Sequence, residues 1–167
     1  MYWEIDFKLA SAKAEKGNKF ILLNFSGSDW CVWCNKLDSE VFNKPEFKEY
    51  ARNNLVCVVL DFPVIKPQSI DLKKQNASLA GKYKVNGYPT VVILNSKGDL
   101  INSTGYLAGG AKKYVEHLKA IISEYEKKNG SGIGLSLSKN ILKKHGGNLL
   151  VSSEVGVYTS FSIIFEN

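Results

Sequence analysis

Two rhythms of apolar residues run along this chain, and the switches between them mark its elements. Near the start, Phe7, Ala10 and Ala14 recur at helical spacing. They predict a helix over about residues 4–16, ended by Gly17-Asn18. Phe20-Ile21-Leu22-Leu23-Asn24-Phe25 is a nearly unbroken apolar run and predicts a buried strand. Ser26–Trp30 is a loop of small polar residues. From Cys34 the pattern Leu37, Val41, Phe42 is helical again, with Asn35, Lys36 and Asp38 outward. Pro45 interrupts it, because proline lacks the N–H and clashes with the preceding turn. A short helix restarts through Phe47 to Ala51.

Leu55-Val56-Cys57-Val58-Val59-Leu60 is continuous and rich in β-branched residues, as suits a central strand covered on both faces. Asp61–Ser69 carries two prolines and predicts a surface loop. Leu72, Leu79 and Tyr83 lie on a helix of about 71–83. Val85-Asn86-Gly87-Tyr88-Pro89 is a turn. Thr90–Leu94 and Leu100–Gly105 are strands joined by a hairpin turn at Asn95–Asp99. Residues 111–126 form an amphipathic helix with Tyr114, Leu118, Ile121, Ile122 and Tyr125 inward. The order predicts an α/β fold: a mixed central sheet with helices on both faces, its final hairpin making one strand pair antiparallel.

The pattern changes at Lys127-Lys128-Asn129-Gly130-Ser131-Gly132-Ile133-Gly134. Beyond it lie a short helical stretch (Leu135–Lys144), a His145-Gly146-Gly147 turn, and two strands, Leu149–Ser153 and Val157–Phe165. About 40 residues build little core alone. The chain therefore reads as a domain over 1–127 and a small α+β appendage over 128–167.

Composition narrows the function classes. A hydrophobic content of 44% with 23% charged residues is ordinary for a globular protein. No apolar run approaches the roughly 20 residues of a membrane span. The start, Met1-Tyr2-Trp3-Glu4-Ile5-Asp6, lacks the basic-then-apolar order of a signal peptide. The net charge of +6 comes from scattered lysines, among them the pairs Lys73-Lys74, Lys112-Lys113 and Lys143-Lys144. These fall on helical patterns as solvated faces, without the clustered basic and aromatic residues that bind nucleic acid.

Only 3 cysteines exclude a disulfide framework, but two of them stand as Trp30-Cys31-Val32-Trp33-Cys34, between a strand and a helix. Such a pair is either a redox centre or half of a metal site. A structural zinc needs four ligands with short spacings. The remaining candidates, Cys57, His117 and His145, are scattered, so no metal is expected. For redox chemistry the position is apt. A helix starting at the pair aims free N–H groups and its positive end at the first sulfur, favouring thiolate. That thiolate attacks a disulfide, and the second cysteine resolves the mixed disulfide. Cys31, nearer the loop and more exposed, is the expected nucleophile, and Cys34, inside the helix, the resolving thiol.

Phe20–Phe25, the Trp30–Cys34 motif, Val85-Asn86-Gly87-Tyr88-Pro89-Thr90, the Thr90–Gly105 hairpin and the last amphipathic helix together resemble the thioredoxin family over about residues 3–126. The longer loop Ser26-Gly27-Ser28-Asp29, with Val41-Phe42 and Pro45-Glu46-Phe47, is similar to the periplasmic thiol:disulfide interchange (Dsb-type) branch. The resemblance implies a thioredoxin-like fold and a protein-disulfide oxidoreductase. It implies no cofactor beyond the redox-active disulfide, and partners that are protein thiols and disulfides plus a redox partner protein. It also implies that Pro89 is cis, lies beside the cysteines and shapes a substrate groove with Tyr88, Trp30 and Trp33. The backbone at Tyr88 would then pair with an extended substrate segment. A periplasmic location follows from the resemblance, with the cytoplasm as the alternative for a chain showing no signal peptide. The alternative function is a redox-inactive interaction module that keeps the fold. Many thioredoxins carry a proton-handling aspartate on the first central strand, and the matching residue here is Asn24. An amide cannot act as a base, so slower proton handling at Cys34, or a water or another carboxylate in that role, is expected; Asp29 is close in sequence but reads as solvent-facing.

The tail resembles the end of a histidine-kinase ATP-binding domain through Gly130-Ser131-Gly132-Ile133-Gly134-Leu135, Asn140–Gly147 and Ser153-Glu154-Val155-Gly156. In that family the glycine segment closes over ATP phosphates. The magnesium-binding asparagine helix and the adenine-recognising Asp-x-Gly-x-Gly motif are missing. The tail thus reads as an incomplete fragment, and nucleotide binding at Gly130, Gly132 and Gly134 is not expected.

Overall fold

The structure is a computed structural model that describes residues 3–129, 147–154 and 158–165. They fall into two compact units, Met1–Glu124 and Tyr125–Asn167. In the second unit, β5 (Gly147–Glu154) and β6 (Tyr158–Phe165) pair antiparallel in continuous register from Gly147↔Phe165 to Glu154↔Tyr158. The glycines at 130, 132 and 134 and the helical stretch expected over Leu135–Lys144 lie outside the described residues.

The first unit is built on a four-stranded sheet of order β2-β1-β3-β4. Its strands are β1 (Phe20–Ser26), β2 (Leu55–Asp61), β3 (Thr90–Leu94) and β4 (Leu100–Thr104). β1 runs parallel to β2 and antiparallel to β3, which is antiparallel to β4. The hairpin pair is antiparallel as expected, and β1–β3 is a second antiparallel pair. The consequence is functional. Thr90, which opens β3, sits opposite Phe25 near the end of β1. The turn before β3 is thereby delivered to the edge of the sheet where the cysteine loop leaves β1.

Each sheet face meets its own helices, because successive strand residues point to opposite sides. Leu22, Val91 and Ile93 pack with Leu37, Val41 and Phe42, with Phe47 and Ala51 of α3 (Pro45–Asn54), and with Tyr114, Leu118 and Ile122 of α5 (Gly110–Asn129). Ile21, Leu23, Phe25, Val92 and Leu94 pack with Ala10 and Ala14 of α1 (Phe7–Gly17) and Leu79 of α4 (Ile70–Lys82). Tyr125, expected inward, is only partly buried.

Local signals explain the helix ends. Asp6 caps α1 by accepting the N–H of Leu9 at 2.9 Å. The left-handed residue after α1 is Asn18 (φ 46°), not Gly17, since asparagine also tolerates that region. Glu4 stands outside the helix. Its backbone bridges β2 through Cys57 and Val59, and its carboxylate meets Lys13 at 2.6 Å. α2 (Val32–Leu37) runs directly into a π-helical turn, Asp38–Phe42. Pro45 then opens α3, where its missing N–H costs nothing.

Phe42 ties these pieces together. It touches Trp3, Phe47 and Tyr114, with ring centroids at 5.1, 4.7 and 5.9 Å. Phe42→Ala should cost about 3–5 kcal/mol of unfolding free energy, measured by urea denaturation. A loss below about 1 kcal/mol would contradict this packing.

Candidate active site

The cysteine loop is a tight turn followed by a cap. The N–H groups of Trp30 and Cys31 both donate to the carbonyl of Gly27, at 3.3 and 2.8 Å. Cys31 is extended (φ −85°, ψ 100°) and stands as the N-cap of α2. Its Sγ accepts the N–H of Cys34 at 3.1 Å. The helix thus begins at Val32, earlier than the apolar pattern indicates, because the cysteine does the capping that Ser or Asp usually does. Cys31 and Cys34 are joined as a disulfide, with Cα atoms 5.2 Å apart. Both are buried in this oxidised state, Cys31 slightly less so.

Two aromatic groups grow out of the motif. Trp30 Nε1 donates to the carbonyl of Phe62 at 2.8 Å, and its ring meets Tyr88 edge-on at 5.5 Å. Phe62 also packs on Tyr88 at 5.2 Å. A Cβ at position 27 would lie 2.3 Å from the Trp30 indole, so only glycine lets that ring settle there. Trp33 packs on Tyr106 at 5.2 Å, with the Lys36 ammonium over both rings. Tyr106 donates to Glu40 at 2.6 Å, and this bond raises the phenol's pKa. The Tyr88–Pro89 bond is cis. Pro89 lies directly before β3, and its carbonyl would be 3.1 Å from a Cβ added at Gly105. Trp30, Tyr88 and Pro89 therefore gather at the cysteine end of the sheet, and Trp33 extends the surface toward Tyr106. Phe62 and Tyr106 escaped the sequence reading because nothing local to them signals a partner more than twenty residues away.

Asn24 sits mid-strand opposite Val59 and Val91, on the same side of β1 as Leu22, the side covered by Leu37, Val41 and Phe42. It is buried, and its Oδ1 has no hydrogen-bond partner among the described residues. Asp38, expected outward, is half-buried. Four residues after Cys34, it shares the inward stripe of the helix with Cys34 and Leu37. Burial holds its carboxyl above the usual 3.8, and the Asp61 charge adds to that. Asp61 itself accepts both the N–H and the hydroxyl of Ser28, at 2.8 and 2.7 Å.

Asp29 is not idle at the surface. Its carboxylate accepts the N–H groups of Val64, Ile65 and Lys66 at 3.0, 2.8 and 2.9 Å. These bonds, that from Val64 foremost, lower its pKa. Cys57 is buried in β2, and burial pushes its thiol up to about 12. His117, on α5, is bound to Thr104 at 3.1 Å, and His145 lies outside the described residues. Among the described residues, no three His, Cys, Asp or Glu side chains gather as a metal site, and no helix is long and apolar enough to cross a membrane.

The chain matches the thioredoxin-like domain family over residues 7–122. It is 33% identical over 122 residues to the disulfide bond reductase DsbH of Chlamydia pneumoniae, covering 73% of each chain. The solved structure of a DsbH oxidoreductase superposes with a TM-score of 0.71 at 32% identity, over 74% of this chain and 85% of that one. The likeness to histidine kinases is much narrower. A stretch of 44 residues, 26% of this chain, is 41% identical to the signal transduction histidine-protein kinase ArlS of Staphylococcus haemolyticus, of which it covers 10%. With its Cys31–Cys34 disulfide set at the start of a helix, the chain belongs to the thioredoxin-like family, with Dsb-type relatives, and is a thiol–disulfide oxidoreductase.

Proposed function

We propose that the chain reduces disulfides in protein substrates outside the cytoplasm, with Cys31 as nucleophile and Cys34 as resolving thiol. One observation carries the assignment of roles: the N–H of Cys34 points at the sulfur of Cys31, so the helix start favours charge on that sulfur and not on its partner. In the reduced protein, the Cys31 thiolate attacks one sulfur of a substrate disulfide. That S–S bond breaks, and the other substrate sulfur leaves as a thiolate that takes a proton. Cys34, deprotonated, then attacks Cys31 Sγ, forms the disulfide seen here and releases the second substrate thiol. Two electrons have passed to the substrate. A reduced partner protein returns them to the Cys31–Cys34 pair. Trp30, Trp33, Tyr88 and Pro89 line the approach, and the substrate lies extended along the edge at Tyr88. The reducing direction is supported by the likeness to a disulfide bond reductase, and the extracytoplasmic setting by the resemblance of the motif to the periplasmic Dsb-type branch. We assign the tail over 128–167 no part in this chemistry; its likeness to a histidine kinase is confined to a short stretch.

Resolution requires a proton to leave Cys34. Asn24 cannot take it. Asp38, four residues after Cys34, half-buried and with a raised pKa, is the carboxylate we assign to that role.

The roles separate by mutation. Cys31→Ala should abolish reduction of a protein disulfide, at least about 10³-fold, while Cys34→Ala should accumulate a mixed disulfide visible by mass spectrometry. A redox-inactive interaction module would instead show no mixed disulfide and keep its partner in Cys31→Ala. In the reduced native protein, iodoacetamide should label Cys31 and spare Cys57, whose thiol stays protonated and buried.

Asp38→Asn should slow release of the second substrate thiol and change its pH profile. The same variant should gain stability with a definite pH signature. A carboxyl whose pKa is raised on folding favours the folded state fully below 3.8 and loses that favour as pH rises through the folded value. Asp38→Asn should therefore raise Tm at pH 7, with the gain fading toward pH 3.8. A gain that is constant with pH would contradict the burial argument.

A further inference from the structure

We propose that the loop from Phe62 to Gln68 is an apolar docking ledge beside Cys31, shaped for hydrophobic residues that flank the disulfide of an extended protein segment. This rests on the oxidoreductase reading of the cysteine pair.

The loop is fastened to the cysteine motif almost residue by residue. Ser26 accepts the N–H of Phe62 at 2.8 Å. Ser28 gives two hydrogen bonds to Asp61, and its hydroxyl takes the Lys66 ammonium at 3.1 Å. Asp29 gathers three consecutive N–H groups, Val64 to Lys66. Trp30 holds the carbonyl of Phe62. The loop base is fixed from behind as well, where Gln68 and Asn76 donate to the carbonyl of Asp61 at 3.0 and 2.9 Å. A loop of this composition would ordinarily be among the more mobile parts of a domain. Here the strand–helix turn that carries Cys31 and the loop after β2 are one polar-bonded unit.

What this unit holds out to solvent is apolar. Val64 is 76% exposed and Ile65 83% exposed, although the backbone beneath them is pinned. Neither side chain adds to either sheet face, so no folding gain accounts for their chemistry. In the cysteine motif to which the loop is bonded, Trp30 (46%), Val32 (75%) and Trp33 (54%) are exposed as well. A cluster of exposed large apolar groups marks an interaction surface, and a rigid one binds without the entropic cost of ordering a loop.

The occupant follows from the chemistry next to it. Exchange requires a substrate sulfur to reach Cys31, and Asp29 and Trp30 immediately precede that residue. A segment entering from the Trp30 side of Cys31 meets Trp30 and the loop bonded to it. The carboxylate of Asp29 is engaged by three N–H donors of the loop itself. An extended segment with aliphatic residues beside its disulfide, as exposed in an incompletely folded protein, fits this surface. A membrane, or a second copy of the chain, is a competing occupant.

The test compares two disulfide peptides in single turnover from the dithiol protein. One has leucines flanking its cysteines and the other has serines. A small symmetric disulfide, bis(2-hydroxyethyl) disulfide, is run in parallel. The parent should favour the leucine peptide, and Val64→Ser/Ile65→Ser should lower the leucine-to-serine rate ratio about tenfold. Asp29→Asn, which keeps the apolar side chains but weakens their anchoring, should lower the ratio less. An unchanged ratio in both variants overturns the ledge while leaving the oxidoreductase intact. A parent that turns over neither the peptides nor the small disulfide overturns the oxidoreductase reading itself. If the double variant changes sedimentation or binding to phosphatidylcholine vesicles, and not the peptide ratio, the surface serves a second copy or a membrane, and the proposal falls.

Discussion

A sulfur atom caps the helix that begins at Val32, and the rest of the site depends on that arrangement. A cap must accept a backbone N–H, and the Cys31 sulfur accepts that of Cys34. One hydrogen bond therefore joins the two cysteines, and in the proposed dithiol form it would favour charge on the Cys31 sulfur. It also sets a demand on the strand before it. β1 must end so that its last residues turn within one loop and leave Cys31 extended. Gly27 permits this by accepting two N–H groups and leaving room for the Trp30 ring.

The sheet supplies the other half of the site. Because β3 runs antiparallel to β1, its first residue lies beside the end of β1, and Pro89 arrives next to the cysteine loop. A parallel β3 would have put that proline at the far end of the sheet. The two buried faces then hold the frame. Phe42, Phe47 and Tyr114 fill the side under the cysteine-bearing helix, and Ile21, Leu23 and Phe25 fill the other. A rigid frame matters for exchange chemistry, since a thiolate, a disulfide and a leaving sulfur must come into line.

Much of this was legible in the amino-acid order. The apolar runs at Phe20–Phe25, Leu55–Leu60 and Thr90–Leu94 mark strands because a strand buried on both faces has no polar positions to confuse the period. The Cys-x-x-Cys pair and Tyr88-Pro89 are local motifs and stand out for the same reason. What escaped was nonlocal or lay between clear classes. The orientation of β3 depends on how a long connection folds back, which no period reports. Asp38 looked outward because it is charged, yet its spacing from Cys34 turns it inward. Asp29 looked solvated, yet its partners lie thirty-five to thirty-seven residues further along the chain. Asn24 was readable as a departure, and its buried, unpartnered oxygen is the physical form of that departure.

The equilibrium potential of the Cys31–Cys34 couple, measured by titrating the pair against glutathione buffers and trapping the thiols, separates a reductase from an oxidant. A reductase should give a value near that of thioredoxin, about −270 mV. A value near −120 mV would mean that the helix start stabilises the reduced pair enough to make the protein an oxidant, and would contradict the account.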